Sequence, residues 1–292
     1  MLKEALYYES EGGAPRCLLC PRHCLIPDGE SGFCRARISK EGRLYASGYG
    51  AAAGLALDPI EKKPLYRFRP GSVILSYGTY GCNMRCPWCQ NHSISQTPPP
   101  PRTPHIAPHE LLRQAVSTAA GQNNIGIAFT YNEPLTSPEF IIDTAPLLRE
   151  AGLSTVIVTN AAICEGPFND ILPHADAMNI DLKGFTDGLY DKCGAQLETV
   201  KRNLRAAAKH SGCHLEVTTL IVPGENDSEA TMEAEAEWLA ETDPDIPLHI
   251  TRFFPRWKTT DKEPTPRETI EALARVARRH LTHVYTGNIQ PA

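Results

Sequence analysis

Three cysteines, Cys82, Cys86 and Cys89, stand in the segment Tyr80-Gly-Cys-Asn-Met-Arg-Cys-Pro-Trp-Cys-Gln-Asn91, directly after an apolar run. This C-x3-C-x2-C spacing lets three thiolates cap three corners of a cubane iron–sulfur cluster and leaves the fourth iron without a protein ligand. An iron with an open position binds a substrate or cofactor directly, which is chemistry rather than electron wiring. The competing reading is three structural or zinc-binding thiols. A second set, Cys17, Cys20, Cys24 and Cys34, follows the pattern C-x2-C-x3-C-x9-C and places four thiols within 18 residues. Such a set points to a bound metal. Zinc is the expected occupant, because a segment of roughly 70 residues with few apolar side chains needs a staple to fold. A second iron–sulfur cluster is the alternative. His23 reads as an exposed bystander, and Cys164, Cys193 and Cys213 read as scattered thiols with no shared spacing.

The elements that must hold these thiols are legible in outline. Residues 1–72 are rich in Cys, Gly, Pro and charge, with one or two short strands expected between Arg43 and Leu57. This part reads as a small cysteine-rich N-terminal subdomain and connector. From residue 73 to 292 apolar strand-like runs alternate with helical periodicity. Strands are expected at 73–77, 125–131, 154–159, 176–182, 215–222 and 246–253, with a last short one at 283–286. Helices are expected near 111–119, 138–151, 167–172, 197–210, 228–240 and 266–279. About six βα units with short connections imply parallel strands under covering helices. The fold class is therefore α/β, a partial (β/α) TIM-type barrel; a doubly wound sheet is disfavoured because no GxGxxG follows the first strand.

In such barrels the chemistry collects at the C-terminal strand ends. The first strand ends in the cysteine loop and the second in Thr130-Tyr-Asn-Glu-Pro134. The third ends in Thr159-Asn160 and the fourth in Asp181-Leu-Lys183. The fifth ends in Val222-Pro-Gly-Glu-Asn-Asp227, and the sixth carries His249 and Arg252 before the loop Phe254-Pro-Arg-Trp-Lys258. Polar groups able to hold a carboxylate, an amine or ribose hydroxyls thus recur around one mouth. Arg252, Arg256, Trp257 and Lys258 read either as a grip on an anionic or peptide substrate or as a solvated basic loop.

Together these segments resemble the radical S-adenosylmethionine (SAM) superfamily, and within it the pyruvate formate-lyase activating enzyme-like proteins. More narrowly they are similar to the radical SAM members of the AmmeMemoRadiSam system. The resemblance is carried by the N-terminal Cys-x-x-Cys-Pro-x-x-Cys with Gly32-Phe-Cys34, Asp58-Pro-Ile-Glu-Lys-Lys-Pro-Leu65, Gly81-Cys-Asn-x-x-Cys-x-x-Cys-Gln-Asn91, Thr130-Tyr-Asn-Glu-Pro134, Asp181-Leu-Lys183 and Tyr285-Thr-Gly-Asn288. It implies that Cys82, Cys86 and Cys89 ligate a 4Fe–4S cluster whose open iron chelates the amino and carboxylate groups of SAM. Trp88 takes the aromatic position that lies against the adenine. Thr130, Asn132 and Glu133 occupy the place of the segment holding the methionyl amine, although this chain lacks the glycines of that segment. Asn160, Asp181, Lys183 and His249 would line the SAM carboxylate and ribose. The implied reaction is reductive cleavage of SAM to methionine and a 5′-deoxyadenosyl radical that abstracts hydrogen from a substrate.

The remaining features bound the function. A formal net charge of −5 and no basic run give no nucleic-acid signature, which disfavours a zinc-ribbon module for nucleic acid. The N-terminus lacks an apolar signal segment, and no stretch reaches membrane-spanning length, so a cytoplasmic location is expected. Ten cysteines in a reducing compartment point to metal or redox chemistry rather than disulfides. A flavodoxin- or ferredoxin-type reductant is the expected partner, and the substrate is open, a protein glycine being one candidate. Activating enzymes often carry ferredoxin-like cysteine inserts after the first cluster, and none lies between Asn91 and Glu110. A non-catalytic iron–sulfur electron carrier or redox sensor is the alternative, but it demands four protein ligands where this motif offers three.

Overall fold

The computed structural model describes residues 2–289. The first part of the chain forms two small antiparallel sheets. One is built from β1 (Lys3–Glu4), β4 (Arg37–Lys40) and β5 (Arg43–Ala46), the other from β2 (Tyr8–Glu11) and β3 (Ala14–Cys17). Beyond them β6 (Gly54–Pro59) pairs antiparallel with β7 (Val73–Gly78). Then α1 (His92–Ser95) and α2 (Pro108–Gln122) lead to β8 (Asn124–Phe129), and α3 (Pro138–Glu150) to β9 (Ser154–Thr159). Next come α4 (Glu165–Ile171), β10 (Ala177–Asp181), α5 (Asp187–Cys193), α6 (Leu197–Lys209) and β11 (His214–Ile221). The last described elements are α7 (Glu229–Thr242), β12 (Leu248–Arg252), α8 (Arg267–Ala277) and β13 (Val284–Gly287).

The eight-stranded sheet runs in simple sequence order from β6 to β13, parallel from β7 onward. The six βα units stand as expected, in an open barrel whose edges are β6 and β13. Residues 54–72, assigned from composition to the N-terminal part, are built into this barrel through β6. That pairing was hidden because a short Gly- and Pro-bounded run does not announce its partner.

The parallel strands β7 to β10 are largely apolar on both faces because both are covered. Leu75, Ile127, Ile157 and Met178 pack under the helices, while Ile74, Ala128, Val156 and Ala177 line the inner face. The inner face is filled by the connector: Ile60 and Leu65 join that inner cluster. The connector backbone is tied down as well. Asn179 Nδ2 donates to the Pro64 carbonyl at 2.8 Å, and Glu216 accepts the N–H groups of Tyr66 (3.0 Å) and Arg67 (2.7 Å). One end of the barrel is thus plugged, and the C-terminal strand ends remain for the site.

The N-terminal sheets are clamped to the barrel by a buried ion pair. Arg37, fully buried, reaches Glu139 of α3 at 2.6 Å and also donates to the carbonyls of Leu6 and Thr136.

Candidate metal centre

β7 delivers the chain to the cysteine loop, which is fastened at several backbone points. The side chain of Asn132 accepts from Thr79 N–H (3.0 Å) and donates to the Gly81 carbonyl (2.9 Å). Gly81 N–H donates to Ile94 of α1, and Asn91 Nδ2 donates to the Tyr131 carbonyl. Gly81 has φ +87°, and a Cβ there would lie 2.4 Å from the Cys34 carbonyl oxygen. Only glycine allows this approach of the N-terminal segment. Cys82 N–H closes it by donating to that same carbonyl at 3.1 Å.

Hydrogen-bonding groups meet two of the three sulfurs. Met84 N–H (3.3 Å) and Asn160 Nδ2 (3.6 Å) point at Cys82 Sγ, and Ser95 Oγ lies 3.2 Å from Cys89 Sγ. The neighbouring Cys193 thiol, at the end of α5, and the Lys183 charge hold the Cys86 pKa below the ordinary thiol value against the effect of burial. Burial pushes Cys82 well above the ordinary value, reinforced by the charge of Glu133, and burial also raises Cys89. Cys193 is the residue missed from the sequence, where it carried no ligand spacing.

The predicted strand-end residues gather around this loop to differing degrees. Asn160, buried at the end of β9, bridges Cys82 to Asn83 Oδ1 (3.0 Å). Glu133 spends its oxygens within the protein: Oε1 accepts from Leu135 N–H (3.0 Å) and Thr159 Oγ1 (2.7 Å), and Oε2 from Asn160 N–H (2.7 Å). Burial lifts its pKa to about 7 against those hydrogen bonds. Its observed work is to brace the β8 and β9 ends beneath the cysteine loop. Thr130 is buried, with its N–H on the Tyr77 carbonyl. Asp181 and Lys183 form a 2.9 Å pair; burial opposes the lysine charge, but Asp181 and Cys86 outweigh it and raise the Lys183 pKa.

Trp88 is only 5 % exposed and packs into the core. His249 shares its register row with Asp181 and Thr218. It is held by Glu216 at 2.6 Å and by the rings of Tyr66 and Tyr285 against the connector plug. The basic loop folds over the cysteine segment: Lys258 N–H donates to the Pro87 carbonyl, and Trp257 stacks on His92 with centroids 5.7 Å apart.

Comparison with known proteins decides the family. The sequence model of the Radical SAM superfamily matches residues 76–236, the span from β7 into α7. The chain belongs to the radical SAM superfamily. An uncharacterized protein of Methanocaldococcus jannaschii is 42% identical over 99% of this chain and 86% of its own length. The pyruvate formate-lyase-activating enzyme of Clostridium pasteurianum is 28% identical over 51% of this chain and 61% of its own length. Among solved structures, a radical SAM methyltransferase from Sphaerobacter thermophilus shares the fold, with TM-score 0.57 at 16% identity over 76% of this chain and 68% of that one. No described helix is long and apolar enough to cross a membrane.

The cysteine loop of this radical SAM protein fits a cubane cluster better than a single ion. Among the described residues, the one triple of His, Cys, Asp or Glu ligand atoms lying within 4.8 Å of one another is Glu233, Glu237 and His280. The three loop sulfurs are therefore not drawn together as around a single ion, which suits thiolates that each bind their own iron. Donors aimed at sulfur are the outer contacts such clusters use to set their potential.

Proposed function

We propose that this protein is a radical SAM oxidoreductase that abstracts hydrogen from a substrate at the mouth of its open barrel, with a protein or peptide as the substrate class. The observation that carries the reading is the loop of Cys82, Cys86 and Cys89 at the C-terminal end of a parallel sheet, with hydrogen-bonding groups at Cys82 and Cys89. When bound there, a 4Fe–4S cluster supplies one-electron reductive cleavage of SAM to methionine and a 5′-deoxyadenosyl radical.

The chain's own residues do the rest. Asn160 holds Cys82 in place, and Cys193 stands beside Cys86. Asn132 and Glu133 fix the loop and strand ends on which the thiols sit. Asp181, Lys183 and the row containing His249 offer charge and hydrogen bonds for an amino-acid moiety and ribose. The similarity to the Clostridium pasteurianum activating enzyme, named for the enzyme it activates, supports a protein substrate. A flavodoxin- or ferredoxin-type donor is the reductant this reading assigns.

The test is anaerobic reconstitution with iron and sulfide, incubation with SAM and dithionite, and measurement of 5′-deoxyadenosine. Wild type should release it and Cys89→Ala should not. A wild type that binds neither cluster nor SAM would sink the reading.

A further inference from the structure

The four N-terminal cysteines come to one pocket, but their sulfurs are not gathered as around a tetrahedral zinc. Cys17, Cys20, Cys24 and Cys34 line one pocket with Leu19 and Ile26. A tetrahedral zinc with Zn–S bonds of about 2.3 Å would hold its sulfurs about 3.8 Å apart. Among the described residues, no three of these four sulfurs lie within 4.8 Å of one another. Nor do the three SAM-site sulfurs all lie within 4.8 Å of one another. His23, the other potential ligand in the segment, turns away to Cys164 at 3.5 Å.

The pocket is also joined to the cysteine loop. Asn83, next to Cys82, is part of its wall. Phe33 is sandwiched between the guanidinium groups of Arg22 (3.5 Å) and Arg85 (3.9 Å), one from each cysteine segment. Arg22 also reaches the Asn83 carbonyl. The Cys34 carbonyl accepts the Cys82 N–H, so covalent bonds and a single hydrogen bond connect a sulfur of one set to a sulfur of the other.

From this geometry we infer that Cys17, Cys20, Cys24 and Cys34 ligate a second 4Fe–4S cluster, complete in its protein ligands and lying beside the SAM-site cluster. Four thiolates, each on its own iron, leave no open position, so this site neither binds nor cleaves SAM. The inference rests on the proposed function only for the identity of its neighbour.

The experiment removes that neighbour. The triple variant Cys82→Ala, Cys86→Ala, Cys89→Ala is reconstituted anaerobically, its iron, sulfide and zinc are counted, and its electron paramagnetic resonance is recorded after dithionite with and without SAM. The expected result is about four irons per chain with a signal that SAM leaves unchanged, against about eight irons in wild type. The reduced wild type should further show broadening from magnetic coupling of adjacent clusters, absent in the variant. One zinc without iron in the variant, no metal at all, or two uncoupled spectra in wild type would each overturn the proposal. If the triple variant precipitates, Cys89→Ala alone serves for the same count. Deoxyadenosine from wild type is scored separately. An iron-free variant with an active wild type sinks only the second cluster, and a four-iron variant with an inactive wild type sinks only the enzymatic reading.

Discussion

The side chains that touch sulfur define how far a sequence can be read at the scale of single residues. Cys82, Cys86 and Cys89 were legible because their spacing is itself chemical information. Cys193 was not, since its contact with Cys86 exists only after α5 has folded back on the loop. The same holds for Glu133: its presence after β8 is visible in the sequence, but the use of both its oxygens to receive Leu135, Thr159 and Asn160 is not. Hydrogen bonds to ligand sulfur raise a cluster's potential, so removing one makes reduction harder. Asn160→Ala should shift the SAM-site cluster to a more negative potential and slow SAM cleavage by about 10- to 100-fold, the usual range for outer-contact losses at metal sites. A redox titration checks this, and an unchanged potential would refute it.

The pattern of elements was the most readable level, because parallel strands buried on both faces carry long apolar runs that composition alone exposes. What it concealed was charge hidden inside those layers. Glu235, in the middle of α7, is 1 % exposed, and among the described residues its one side-chain hydrogen bond comes from Thr219 of β11. Burial lifts its pKa to about 8, above the ordinary carboxyl value. The folded state therefore holds a proton that the unfolded chain releases near pH 4.5. Stability is full below that pH and is lost progressively as pH rises to about 8, by at most about 4 to 5 kcal/mol. Glu235→Gln keeps a neutral acceptor for Thr219 and removes the titration. Thermal melts should match wild type at pH 5 and exceed it at pH 8.5, whereas parallel melting curves across that range would contradict the assignment.

For the molecule as a whole, the cysteine-rich part and the barrel behave as one packed body rather than a module on a tether. Arg37 joins them, with Glu139, Leu6 and Thr136 all meeting its guanidinium in a buried position. Taking away one partner of a buried pair leaves the other charge uncompensated, so Arg37→Met should cost about 3 to 5 kcal/mol in urea unfolding. Arg37→Met with Glu139→Leu should recover most of that loss, and a single variant as stable as wild type would show that the clamp does not matter. The stacked pair His92 and Trp257, together with Trp88, places two of the three tryptophans against the cysteine loop, while Trp238 packs on Phe185 instead. Iron–sulfur clusters absorb across the near-ultraviolet and visible, where indole emits. The protein thus carries its own optical gauge of loading: fluorescence should dim as iron and sulfide enter and brighten as oxygen bleaches the centre, with no label attached.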